Sequence, residues 1–134
     1  LRATWQAVSR MYNEEASKFD GSIAIGFALL SIDKEDGTPS TYISSRMGME
    51  ATSLTRTLKT LEEKGLIIRK KNPEEGRGVL IYLTDFGKQM RAQSKETVLK
   101  FNESIRKNIS EEKLQNFIEV ADIINDLIAE KKIF

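Results

Sequence analysis

The 134-residue sequence contains neither cysteine nor histidine. The first absence excludes disulfides, thiolate metal sites, a cysteine nucleophile and a thiol-based redox switch. The second removes the Ser-His-Asp arrangement, and the two together remove zinc sites of the finger kind. Only carboxylates are left as acids, bases or hard-metal ligands, so no catalytic residue, metal ligand or cofactor is assigned and no enzyme is expected. Long apolar runs are also missing. The longest, Ile23 to Leu30, is eight residues, against the roughly 20 that span a bilayer, so no membrane is expected. The opening Leu1-Arg2-Ala3-Thr4 has no basic stretch ahead of a hydrophobic core, and a cytoplasmic location is the default expectation.

What is present is ordinary for a folded chain. Hydrophobic residues make up 40% and charged residues 31%, figures of a globular protein with core enough for one domain. Lys+Arg at 21 and Asp+Glu at 20 nearly cancel, but their positions are uneven. Residues 39–91 hold ten Lys/Arg and six Asp/Glu, a local +4 that leaves −3 elsewhere in a chain of net +1. A basic middle between acidic ends is the electrostatic footprint of a duplex-binding module flanked by non-binding helices.

Hydrophobic spacing orders the elements. Trp5, Val8, Tyr12, Ala16 and Phe19 recur at three and four, a helical stripe broken by Asp20-Gly21-Ser22. A second apolar run covers Ile23 to Ile32, and Asp33 to Gly37 is a polar turn. Thr38-Pro39-Ser40-Thr41 predicts a helix start, with proline in the first turn and a hydroxyl as cap, for a helix to about Arg46 that ends near Gly48. A fourth helix over about Glu50 to Lys64 carries Ala51, Leu54, Leu58 and Leu61 on one stripe and stops at Gly65. Leu66 to Lys71 and Val79 to Leu83 are β-type runs joined by the turn-rich residues 72–78, a hairpin. Thr84-Asp85 caps a long fifth helix to about Asn108, and Ser110-Glu111-Glu112 opens a sixth. Three helices and a hairpin within about 50 residues are the layout of a winged helix-turn-helix. The expected fold is mostly α with a small β-hairpin wing.

On a helical wheel Thr52, Ser53, Arg56, Lys59, Thr60 and Glu63 oppose the leucine stripe. Short hydroxyls near a helix N-terminus allow close approach to a major groove, and an arginine one turn later can bind guanine through two bonds. The bland alternative is a solvated face with Lys/Glu pairing. Arg77, between glycines in the turn, can reach a minor groove, or is a plain surface arginine. Arg69, Lys70 and Lys71 alternate along a strand, so at most two meet one phosphate backbone, and one can pair with Glu62 or Glu63 instead. Ser40 and Thr41 suit capping or donation to phosphate. The candidate DNA-binding set is therefore Ser40, Thr41, Thr52, Ser53, Arg56, Lys59, Thr60, Arg69, Lys71 and Arg77.

Residues 49–69, from Met49-Glu50-Ala51 through Thr55-Arg56-Thr57-Leu58 to Gly65-Leu66-Ile67-Ile68-Arg69, resemble the recognition helix and first wing strand of MarR-type transcriptional regulators. Asn72 to Arg77 followed by Leu83-Thr84-Asp85-Phe86-Gly87 is similar to their wing and the start of their fifth helix. Glu75 stands where the family's wing has Asp, and Glu50 where its recognition helix has a Ser or Asp cap. The resemblance implies one MarR-like domain over 1–134, with a winged DNA-binding part at about 20–90 and dimerisation helices at about 1–19 and 92–134. It also implies a homodimer on a pseudo-palindromic double-stranded operator, a repressor modulated by a small aromatic or anionic effector. Trp5, Tyr12, Phe19, Phe27 and Phe101 can line such an effector cleft, with Arg2, Arg10 or Lys18 nearby, although an aromatic stripe at this spacing is more often simple core, and no ligand residue is assigned. Phe101, Ile105 and Ile109, then Leu114, Phe117, Ile118, Ala121, Ile124, Leu127 and Ile128, form stripes that must be covered by the same domain or by a partner. The competing reading from another class is a winged-helix protein–protein adaptor that does not bind DNA.

Overall fold

The computed structural model describes residues 1–74 and 78–134, the side chain of Ala51 apart. The order is α1 (Arg2–Ser17), α2 (Ile23–Leu30), β1 (Thr38–Pro39), α3 (Ser40–Met47), α4 (Ala51–Glu63), β2 (Ile67–Lys71), β3 (Val79–Leu83), α5 (Asp85–Asn108) and α6 (Glu111–Ala129). Two compact units divide the chain, Leu1–Thr97 and Val98–Phe134.

The first unit holds the core. Ala28, Leu29 and Ile32 from α2 and its end, Ile43 from α3, and Leu54, Leu58 and Leu61 from α4 meet Leu66, Ile67, Ile81 and Leu83. α2, α3 and α4 turn their apolar residues inward, whereas no residue of α1 is buried. The α1–α2 corner closes when Asn13 Oδ1 accepts from Ile23 N (2.8 Å) and Ser22 Oγ accepts from Ile25 N (3.3 Å), which satisfies two of the unpaired donors at the start of α2. α4 stops at Gly65, whose φ of 74° lets Leu66 N reach back to Leu61 O at 2.9 Å. Leu66 then enters the core as the first residue of the wing.

β2 and β3 pair as the expected antiparallel hairpin, and β1 adds a third strand to the wing, in the order β1-β3-β2. Thr38 pairs with Ile81 and Pro39 with Leu80. Proline is tolerated there because β1 is an edge strand with no ladder donor to lose. The helix start at this point also differs from expectation. Pro39, with ψ of 137°, is the N-cap of α3, and no side chain caps that helix. The capping hydroxyl serves the preceding turn instead: Thr38 Oγ1 accepts from Asp33 N at 2.9 Å. Ser40 and Thr41 are thus the first residues of α3, not its caps.

In the second unit Ser110 Oγ accepts from Lys113 N at 3.3 Å and caps α6. No residue of α6 is buried, and Phe117 is 63% exposed. Among the described residues no helix is long and apolar enough to cross a membrane.

Candidate nucleic-acid interface

The interface candidates lie in the first unit, on α3, α4 and β2. Because Leu54, Leu58 and Leu61 are buried, the opposite face of α4 is turned to solvent: Thr52, Ser53, Arg56 and Lys59 are all exposed. Thr60 is only half-exposed, and its Oγ1 donates to Arg56 O at 3.1 Å, so its proton is committed within the helix. Thr57 does the same with Ser53 O at 3.1 Å. The hydroxyls left to meet a partner are those of Thr52 and Ser53, in the first turn. Glu50 precedes them as an N-cap whose side chain makes no capping bond, so backbone N–H groups at this helix start face outward with their partial positive charge.

The strand cations take separate roles. Register pairs Arg69 with Ile81, Lys70 with Leu80 and Lys71 with Val79, so Arg69 and Lys71 share one side of β2 and Lys70 the other. Arg69 Nε pairs with Glu62 Oε2 at 3.0 Å, tying β2 to the last turn of α4. Lys70 Nζ sits 5.0 Å from the centre of the Tyr82 ring. None of the ion pairs among the described residues engages Arg56, Lys59 or Lys71. Arg77 lies outside the described residues.

On α3, Thr41 is exposed and Ser40 half-exposed. A pair that sequence reasoning did not single out lies beside them. Arg46 Nη1 donates to Tyr42 Oη at 3.2 Å, and its guanidinium carbon is 5.7 Å from the ring centre. The spacing of four on one helix is the signal that identifies such a pair.

The aromatic stripe of α1 is not core within the chain. Trp5 is 57% exposed and Phe19 is also exposed, while Tyr12 meets Phe27 edge-on at 6.0 Å. Burial pushes the Tyr12 hydroxyl above its ordinary range. Lys18 is held by Glu15 at 3.0 Å.

Residues 26–79 match the MarR family profile, which spans α2 through the start of β3. The chain is 32% identical over 78 residues to the uncharacterized HTH-type transcriptional regulator YdgJ of Bacillus subtilis, a match covering 58% of this chain. That match covers 48% of YdgJ, so the chain spans about half of that relative's length. It is 28% identical over 121 residues to the HTH-type transcriptional regulator SarZ of Staphylococcus aureus, covering 90% of this chain and 76% of SarZ. Among solved structures, a mutant MarR from E. coli complexed with operator DNA superposes with a TM-score of 0.81 at 25% identity, over 92% of this chain and 89% of that one. The profile match, the aligned regulators and the three-helix-and-wing fold agree: residues 26–79 carry a MarR-type winged helix-turn-helix region, and the chain is similar to HTH-type transcriptional regulators over most of its length.

Proposed function

We propose that this protein binds a pseudo-palindromic double-stranded operator as a homodimer and acts as a repressor whose affinity a small aromatic or anionic effector lowers. The observation that carries DNA binding is the outward face of α4: Thr52 and Ser53 at its start, then Arg56 and Lys59, exposed and without ion pairs among the described residues. Hydroxyls approach base edges closely and arginine bonds guanine through two donors, whereas lysine and the outward strand cation Lys71 suit phosphates. A solvated face of the ordinary kind would pair these cations with neighbouring carboxylates, as Arg69 does. The operator complex of the E. coli relative supports the same reading.

The homodimer rests on α6. Phe117, Ile118, Val120, Ile123 and Ile128 are all exposed in the single chain, an apolar surface that soluble monomers rarely leave uncovered. A two-fold dimer places two recognition helices in successive major grooves. The effector rests on the exposed Trp5 and Phe19 and on the Tyr12–Phe27 ring pair. Selection of bound duplexes from a random pool tests the proposal. An enriched two-fold-symmetric sequence is expected, and a pool that stays random on a folded, dimeric protein would overturn it in favour of an adaptor.

A further inference from the structure

We propose that Thr84 is a positioning residue for duplex binding, because its hydroxyl fixes the base of the wing against the end of the recognition helix. The inference rests on the DNA-binding reading above. Thr84 Oγ1 donates to Gly65 O at 2.6 Å and accepts from Gly87 N at 3.0 Å. The single hydroxyl proton goes to the stop of α4 and a lone pair goes to the first turn of α5, so the rotor is locked from both sides. The same residue's backbone N–H donates to Leu66 O at 3.1 Å. Three bonds from one residue thus join the end of α4, the entry to β2 and the start of α5.

Gly87 is the other half of this junction. A Cβ there would lie 2.0 Å from Leu66 O and 3.0 Å from its carbonyl carbon. The first turn of α5 therefore rests directly on the backbone that leads into the wing, at a distance only glycine allows. The Glu62–Arg69 pair ties the next residues of β2 to the last turn of α4.

The consequence concerns recognition. Arg56 and Lys59 on α4 and Lys71 on β2 belong to different elements, yet phosphates on a duplex stand at fixed intervals. Both groups engage the duplex together only when the offset between helix and strand is set in advance, since ordering it during binding would subtract from affinity. Thr84 sets that offset without facing the duplex.

The test uses the full chain and a fluorescent duplex carrying its selected site. Affinity is measured across a salt series, at a temperature where circular dichroism shows every variant folded. Thr84→Val keeps the shape and removes both hydroxyl bonds, whereas Thr84→Ser keeps both. Loss of Lys71 from one phosphate in each of two subunits should lower the log–log salt slope by about two, and at roughly 0.1 M salt weaken binding between about tenfold and a hundredfold. Thr84→Ser should restore the wild-type slope. Should Thr84→Val have no folded range, Thr84→Asn takes its place, since Asn caps α5 well but lacks the short hydroxyl that reaches Gly65. A variant with a wild-type slope, whether or not its affinity falls, would overturn the positioning role and leave DNA binding standing. A flat salt response from the unmutated protein would overturn both.

Discussion

Replacing Arg56 by alanine removes the one guanidinium that α4 projects among its hydroxyls. The side chain is exposed and forms none of the ion pairs among the described residues, so its loss leaves no buried group unsatisfied and opens no cavity. Stability should then move by no more than about 0.5 kcal/mol, a shift of only a few degrees in Tm for a chain of this size. Binding should respond far more. A two-donor arginine–guanine contact discriminates by about 1–3 kcal/mol. Two subunits double this to about 2–6 kcal/mol, at least roughly 30-fold in Kd. Fluorescence anisotropy on the selected duplex and on a scrambled one separates base reading from phosphate anchoring. Arg56→Ala should weaken the selected duplex strongly, weaken the scrambled one little, and flatten preference at one or two positions of each half-site. Equal losses on both duplexes would show that Arg56 holds only phosphate, and the base-reading assignment would fall.

Other perturbations probe the fold and the assembly. Leu61→Ala, at a fully buried position, should cost about 2–5 kcal/mol by denaturant titration, and a cost under 1 kcal/mol would contradict the core described above. Gly87→Ala must push α5 off Leu66 O and should lower Tm by more than overpacking at an ordinary core site, which costs about 1–3 kcal/mol. Phe117→Asp together with Ile118→Asp on α6 should shift the sedimenting species from dimer to monomer, and an unchanged dimer would move the interface elsewhere. Asp33 accepts from the backbone N–H groups of Asp36 and Glu35, which hold its carboxyl below the ordinary range. Its folded pKa is the lower one, so its stabilisation is present above the unfolded pKa and is lost as pH falls through the folded value. Melting curves of Asp33→Asn in that acid range should fall less steeply with pH than those of the unmutated protein.

Much of this architecture is legible in the sequence because its signals are local. The leucines at 54, 58 and 61 repeat at helical spacing, Gly65 and Gly48 stand at left-handed stops, and Ser110 and Thr84 precede helices as caps. β1 is invisible for the same reason: two residues have no period, and its pairing with β3 is a long-range event. That pairing also converts Pro39 from a first-turn residue into an N-cap. At the candidate interface, the outward face of α4 follows from the leucine stripe alone. Which hydroxyls are free does not, since the loss of Thr60 to Arg56 O depends on its rotamer. The sequence predicts that one strand cation can pair with Glu62 or Glu63, and the structure shows which: Arg69 with Glu62. Thr84 reads in sequence as a cap and nothing more, because its partner Gly65 lies 19 residues away. The α1 stripe shows the limit of periodicity, which marks a face to be covered but not what covers it; Trp5 and Phe19 stay exposed in the single chain.

The salt dependence of binding to the selected duplex tests DNA recognition most directly. Each phosphate engaged by a cation releases condensed counterions, so six or more contacts across a dimer should lower affinity by about three orders of magnitude or more between about 50 and 200 mM salt. Lys59, Lys71 and Arg77 from each of two subunits supply six such cations, with Arg56 kept for a base edge. An affinity that stays level across that range would contradict the assignment of α4 and the wing as a nucleic-acid interface.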